Sequence, residues 1–276
     1  MSITLETAPT LHVEAAGIRF AYRRLGPKTG IPLVLLQHFT GTMDAWDPLV
    51  VNALATDRPV IVFNNAGVGT STGTVPDTVE QMAIDAETFI AALGLAEADL
   101  LGFSLGGFLA QVLAPRTKVK IRKIIIAGSA AKGGEEHLLQ VVEDAFAKGA
   151  RDVRLPLFFT PSQSSQDAGG AFIDRAAART VERDPDSGEA VSNPQAKAII
   201  GWCAETDPGH ASLQAIRQPA LIVHGSDDTM FPSINAYEMF KNTPDATLII
   251  YPDSGHGALF QYPETFVSHV KTFLDA

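Results

Sequence analysis

The chain has 276 residues, 46% hydrophobic and 19% charged, which supplies one sizeable core and suits a single α/β unit. Its formal charge of −10 opposes nucleic-acid binding, because phosphates would be repelled, and a single cysteine, Cys203, excludes an internal disulfide. The N-terminal MSITLETAPT lacks the basic and apolar regions of a signal peptide, and no run of about 18 apolar residues occurs, so a cytoplasmic protein with no membrane partner is expected.

In chain order, His12-Val13-Glu14 and Ile18 to Tyr22, separated by Ala15-Ala16-Gly17, predict a hairpin. Pro32 to Gln37 is a continuous apolar run, as expected of a strand covered on both faces. A helix is expected from Met43 to Ala55, a buried strand over Val60 to Phe63, and an amphipathic helix from Thr78 to Leu93. For that helix Thr78 and Gln81 make a capping box and Gly94 a stop. A strand ending near Leu101, a helix from Leu105 to Ala114 and a strand from Ile121 to Ala127 follow. Strands alternating with helices imply a parallel sheet covered by helices.

The alternation lapses from about Ala130 to Ser212. Helical patterns over Glu135 to Gly149, Phe172 to Val181 and Pro194 to Cys203 are separated by a Ser/Gln/Gly-rich stretch and by the loop Arg183 to Gly188. This is too long for a connection and too periodic for disorder, so it reads as a helical cap, residues 131–212, inserted between core segments 1–130 and 213–276. The sheet resumes at Ala220 to His224 and Thr247 to Tyr251, and a helix from Pro263 to Leu274 closes the chain.

The chemistry begins at Gly102-Phe103-Ser104-Leu105-Gly106, a G-x-S-x-G pattern between strand and helix. A serine at such an apex is forced into a strained backbone that lifts its hydroxyl clear of the sheet, towards the positive end of a helix. A serine nucleophile needs a base and an orienting acid, which in this architecture follow in the order Ser, acid, His. The strand ending at His224 runs into a turn carrying Asp227 and Asp228, and the strand ending at Tyr251 runs into Ser254-Gly255-His256. Both turns lie at strand carboxyl ends, where catalytic groups gather in such sheets. Two backbone amides must also meet the developing oxyanion, and Leu105 and Phe39 are the candidates.

With these residues the chain resembles an α/β-hydrolase, in particular the compact, lidded branch of esterases, lactonases and cofactor-free haloperoxidase-like enzymes. The resemblance covers about residues 10–130 and 213–275. Its His-Gly-x-x-Asp-x-x-x-Pro pattern falls on His224 to Pro232 and selects Asp228 over Asp227. The resemblance therefore implies a mostly parallel sheet flanked by helices, a triad of Ser104, Asp228 and His256, and hydrolysis of a small acyl ester without metal or cofactor. Lactone opening, C–C hydrolysis, perhydrolysis and cofactor-free oxygenation on the same fold, or a weakly catalytic ligand-binding relative, are the alternatives.

Two departures from the family pattern stand out. His38-Phe39 replaces the usual His-Gly, and Asn64 to Ser71 lacks the usual Asp and Arg; both are expected near the site entrance. His38 reads as a structural hydrogen-bonder of the oxyanion loop. Candidate pocket residues are His38, Phe39, Trp46, Phe158, Phe159, Trp202 and Met230. Gly67-Val68-Gly69 lacks the third glycine and the following helix of a phosphate loop. Cys203 reads as a small cap hydrophobe, and no histidine pair falls at metal-ligand spacing. A small-molecule substrate is the partner expected.

Overall fold

The structure is a computed structural model and describes residues 3–116, 118–147 and 152–276. The hairpin is β1 (Leu11–Ala15) and β2 (Ile18–Leu25), turned by Ala16 and Gly17, both at positive φ as a tight two-residue hairpin requires. There follow β3 (Leu33–Leu36), α1 (Pro48–Leu54), β4 (Val60–Phe63), α2 (Val79–Ala92), β5 (Glu97–Phe103), α3 (Leu105–Leu113) and β6 (Lys120–Ala127). Five helices come next: α4 (Leu138–Ala147), α5 (Arg154–Phe158), α6 (Gln163–Ala176), α7 (Glu189–Ala204) and α8 (Ala211–Gln214). The chain ends with β7 (Ala220–Gly225), α9 (Ile234–Asn242), β8 (Ala246–Tyr251), α10 (Ala258–Gln261) and α11 (Pro263–Asp275).

The strands form one sheet in the order β1-β2-β4-β3-β5-β6-β7-β8. Only β1 and β2 run antiparallel to their neighbours; β3 to β8 are parallel. Every residue of β3, β4 and β7 is buried, so the unbroken apolar runs in the sequence mark strands covered on both faces. The α/β architecture expected from the sequence is therefore the one observed. Among the described residues no helix is long and apolar enough to cross a membrane.

Several elements differ from their sequence reading. The helix expected over 43–55 is split: Trp46 is extended, Asp47 caps α1 by accepting from Leu49 N at 2.9 Å, and Pro48 opens it. Proline favours the first helical position and pushes the residue before it out of helix. The Thr78 side chain accepts from Gln81 N, but the Gln81 amide turns to Asp85, so only half of the capping box forms. α6 begins at Gln163 inside the Ser/Gln/Gly-rich stretch, and stops at Ala176 rather than reaching Val181. Its buried residues are Ser165, Gly169, Phe172 and Ala176, a helical stripe too small and polar to show as hydrophobic periodicity. α7 starts at Glu189, before Pro194. Helix α9 has no counterpart in the sequence reading: Ile234, Tyr237 and Phe240 are exposed while Asn235, Ala236 and Met239 are buried, so its apolar residues do not gather on one face. Of the helix expected over 135–149, residues 148–149 lie outside the described residues.

Helices α4 to α8 are joined to the sheet unit by apolar packing, such as Phe172 stacked on Phe260, and by arginine contacts from α6 and the loop after it. Arg175 of α6 grips the Asp47 carboxylate at 2.6 and 2.9 Å. Arg179 donates to the carbonyls of Leu5, Glu6 and Ala8. The backbone N–H of Asp184 donates to Asp44, whose carboxylate also holds the fully buried Arg23.

Candidate active site

The elbow between β5 and α3 puts Ser104 at φ +55 and ψ −118, a region that non-glycine residues occupy only under constraint. The constraint comes from both flanks. A Cβ on Gly102 would collide with the carbonyl oxygen of Gly106, and one on Gly106 with that of Leu36 in β3. Ser104 N–H donates to Ala127 O at 2.9 Å and Ser104 O accepts from the Ser129 hydroxyl at 2.9 Å, so the apex is tied to β6 and the residues after it. The elbow strand also tolerates a buried charge, because Asp99 is gripped by Arg122 of β6 at 2.6 and 2.9 Å.

The turns after β7 and β8 bring Asp228 and His256 together. Asp228 Oδ2 accepts from His256 Nδ1 at 2.8 Å, and Oδ1 accepts from the amides of Met230 and Phe231 at 2.9 and 3.0 Å. His224 adds a second imidazole: its Nε2 lies 2.8 Å from Phe231 O and 3.2 Å from Asp228 Oδ2. Burial by itself would raise the Asp228 carboxyl, but the His256 charge and the hydrogen bonds from both imidazoles outweigh it and hold it well below the usual carboxylate range. For His224, burial would lower the pKa, but the hydrogen bond to Asp228, the Asp228 charge and the Phe231 carbonyl together raise it. Asp227, the alternative acid, is exposed and turns to Ser226.

With Nδ1 donating to a carboxylate, His256 presents Nε2 as its acceptor nitrogen. Among the described residues Nε2 has no hydrogen-bond partner, and no hydrogen bond joins it to the Ser104 hydroxyl. Such bonds are commonly long or misaligned before substrate is present. Ser104 and His256 line the same cavity, of about 730 Å³. The arrangement can take a proton from a hydroxyl at the elbow and hold the resulting imidazolium against a buried carboxylate.

Residues 38–41 form the facing loop. His38 N–H donates to Gln37 Oε1, Thr40 N–H to Gln195 Oε1 and Gly41 N–H to His38 O, which leaves the Phe39 amide without an acceptor among the described residues. His38 Nδ1 donates to Phe39 O at 2.8 Å. Burial, only partly opposed by that bond, lowers the His38 pKa to about 3, so its ring is neutral.

The candidate pocket residues divide. His38, Phe39, Phe158 and Met230 line the cavity; Trp46, Phe159 and Trp202 do not. Trp46 is fully buried against Phe103 and Phe260, and Phe159 packs on Phe172. Trp202 stacks on Phe108 and donates to Ala130 O. All three are cementing side chains, because a flat apolar ring gains most where it can be covered completely. Nor does the loop 64–71 reach the cavity: Asn64 is fully buried, with Oδ1 accepting from Met43 N at 2.8 Å.

What sequence reasoning missed are the polar wall residues Asp44, Asp184 and Ser187, which line the cavity from far apart in the chain. No local pattern distinguishes them from solvated loop residues. Among the described residues no group of His, Cys, Asp or Glu could hold a metal ion. The Cys203 thiol is pushed up to about 12 by burial and then by the Glu136 charge, which leaves it unreactive.

Comparison with known proteins identifies the fold. A family model for the alpha/beta hydrolase fold matches residues 31–263. The solved structure of an alpha/beta hydrolase fold protein from Chitinophaga pinensis superposes with a TM-score of 0.92 at 44% identity, covering 99% of this chain and 100% of that one. A non-heme chloroperoxidase of Burkholderia pyrrocinia is 26% identical, and the match covers 94% of this chain and 97% of that protein. A pimeloyl-[acyl-carrier protein] methyl ester esterase of Nitrosomonas europaea is 24% identical over 94% and 97% of the two chains. The elbow, the sheet order and the match across most of the chain together establish that this protein belongs to the α/β-hydrolase family.

Proposed function

We propose that the protein is a serine hydrolase that cleaves a small acyl ester through an acyl-enzyme. Ser104 attacks the carbonyl while His256 Nε2 takes its proton, and Asp228 holds the imidazole in the required tautomer and stabilises the imidazolium. The amides of Phe39 and Leu105 receive the tetrahedral oxyanion. Collapse of that intermediate expels the alcohol, protonated by His256. Water, deprotonated by the same imidazole, then releases the acid and restores Ser104.

The observation that carries this reading is the buried Asp228–His256 pair, whose remaining nitrogen shares a cavity with a serine held at φ +55. The unspent Phe39 amide supports the oxyanion assignment. The aromatic rings Phe39 and Phe158, which line the cavity together with Ser104, offer an apolar surface for an acyl group, with the cap, residues 131–212, as the roof. An ester-cleaving relative is consistent with the substrate class.

The test is steady-state turnover across esters of varied acyl length, with Ser104→Ala as control. Wild type should cleave short acyl esters with a burst of released alcohol. The Ala variant should lose on the order of 10⁵-fold in kcat. Undiminished turnover by Ser104→Ala would remove the proposal.

A further inference from the structure

Thr40 follows the proposed oxyanion donor Phe39 and sits at φ +60, a left-handed conformation that a β-branched residue adopts only when its surroundings impose it. Two residues from the segment between β6 and β7 impose it. Gln195 of α7 accepts from Thr40 N–H through Oε1 at 2.6 Å, and Ser187, in the loop before α7, donates its hydroxyl to Thr40 O at 2.8 Å. Gln195 is 1% exposed, and its Nε2 has no hydrogen-bond partner among the described residues. Among the described residues, the hydrogen bond of this buried amide is thus the one it makes with the oxyanion loop.

The peptide between Phe39 and Thr40 is held at both ends. Its carbonyl accepts from His38 Nδ1 at 2.8 Å and its N–H donates to Gln195. A clamped peptide plane leaves the preceding Phe39 amide only the freedom of one residue's dihedrals, and an oxyanion donor must be aimed to within a fraction of an ångström. Cap and oxyanion loop are therefore one mechanical unit.

We propose that Gln195 is a positioning residue: through the Thr40 backbone it aims the Phe39 amide at the oxyanion, with Ser187 as a second strut. This rests on the hydrolase reading above. It assigns the cap a role in stabilising the transition state, distinct from shaping the space for substrate.

The test compares wild type with Gln195→Leu, which removes the acceptor, and Gln195→Glu, which keeps one. Three readouts are taken: hydrolysis of p-nitrophenyl acetate, the rate at which a fluorophosphonate labels Ser104, and binding of an unreactive ether analogue of the ester. In the Leu variant kcat and labelling rate should fall together by about 10- to 100-fold, with KM and ether binding changed less than about twofold. The Glu variant should recover to within about threefold of wild type. A folded Leu variant with undiminished kcat and labelling would overturn the proposal, as would a loss carried by KM or a Glu variant as slow as Leu. Should the Leu variant fail to fold, Ser187→Ala decides: a several-fold loss confined to kcat supports the proposal, and no change overturns it. Failure of wild type to label at all would remove the hydrolase reading and this inference with it. Normal wild-type labelling with an unaffected Leu variant removes this inference alone.

Discussion

Around His256 the cavity floor is held by buried groups at short range: Asp228 takes two amides and two imidazoles, and Asp228, His224 and His256 are at most 5% exposed. The helices over the cavity are held differently. Arg175 reaches across to Asp47 with 30% of its side chain exposed, and Arg179 collects three carbonyls of the N-terminal segment. Burial makes each floor contact strong and leaves it little room to relax, whereas water competes for the partly exposed Arg175 contact. The floor is built to hold a geometry, the roof to hold a position. Substitutions in the floor should therefore appear in kcat, and those in the fastenings in stability and substrate binding.

The sharpest way to break that contrast is Asp228→Asn. The Asn oxygen can still accept from Met230 and Phe231 N–H, but its amide would confront His256 Nδ1 and favour the wrong tautomer. A drop in kcat on the order of 10³- to 10⁴-fold is expected, with circular dichroism unchanged. Retention of more than a tenth of the activity would show that the floor does not work as proposed.

His38 sharpens the comparison at the seam, because its ring touches Phe103 of the sheet and Phe158 of α5. Its pKa falls from 6.5 to about 3 on folding, so between those values the unfolded chain binds a proton that the native chain refuses. Stability contributed by the neutral ring is full above pH 6.5 and is lost as pH falls towards 3, at about 1.4 kcal/mol per pH unit. Carboxylates with lowered values, such as Asp57 from 3.8, act in the same direction only at lower pH. The raised His224 loses its contribution as pH rises above 6.5, so it leaves the interval from about 6.5 to 4.5 untouched. Urea unfolding across that interval should show a shallower slope for His38→Gln than for wild type; equal slopes would contradict the assignment.

The smallest effect is expected at the roof. Arg175→Met leaves the buried Asp47 carboxylate with its cap bond to Leu49 N but without its cation. A loss of about 1–3 kcal/mol is expected, the Arg end being partly screened by water. The thermal midpoint should fall by several degrees while kcat on a short ester changes less than about threefold. A collapse of kcat as deep as that of Asp228→Asn would erase the distinction between floor and roof.

Much of this was legible in the chain because the requirements are local. A serine between glycines at the end of an apolar strand, with its turn closed against β3, declares itself in five residues. The turns bearing Asp228 and His256 follow from two further strand ends. Two helices were harder: α6 of the roof hides because its buried face is made of Ser165, Gly169 and Ala176 with one Phe172, and α9 because it leaves Ile234, Tyr237 and Phe240 exposed. Trp46 and Trp202 misled because an aromatic residue in sequence does not say which neighbour will cover it.

By itself, then, the sequence determined the alternation of strands and helices, the sheet class, the strained serine and the order of the candidate triad. Each follows from periodicity or from a turn that few residue types can make. Only the tertiary structure decided which rings face the cavity, that His224 shares the Asp228 carboxylate, and that Gln195 reaches the Thr40 amide across 155 residues of chain. Those pairings depend on which surfaces meet once the chain is packed, and no local backbone preference encodes them.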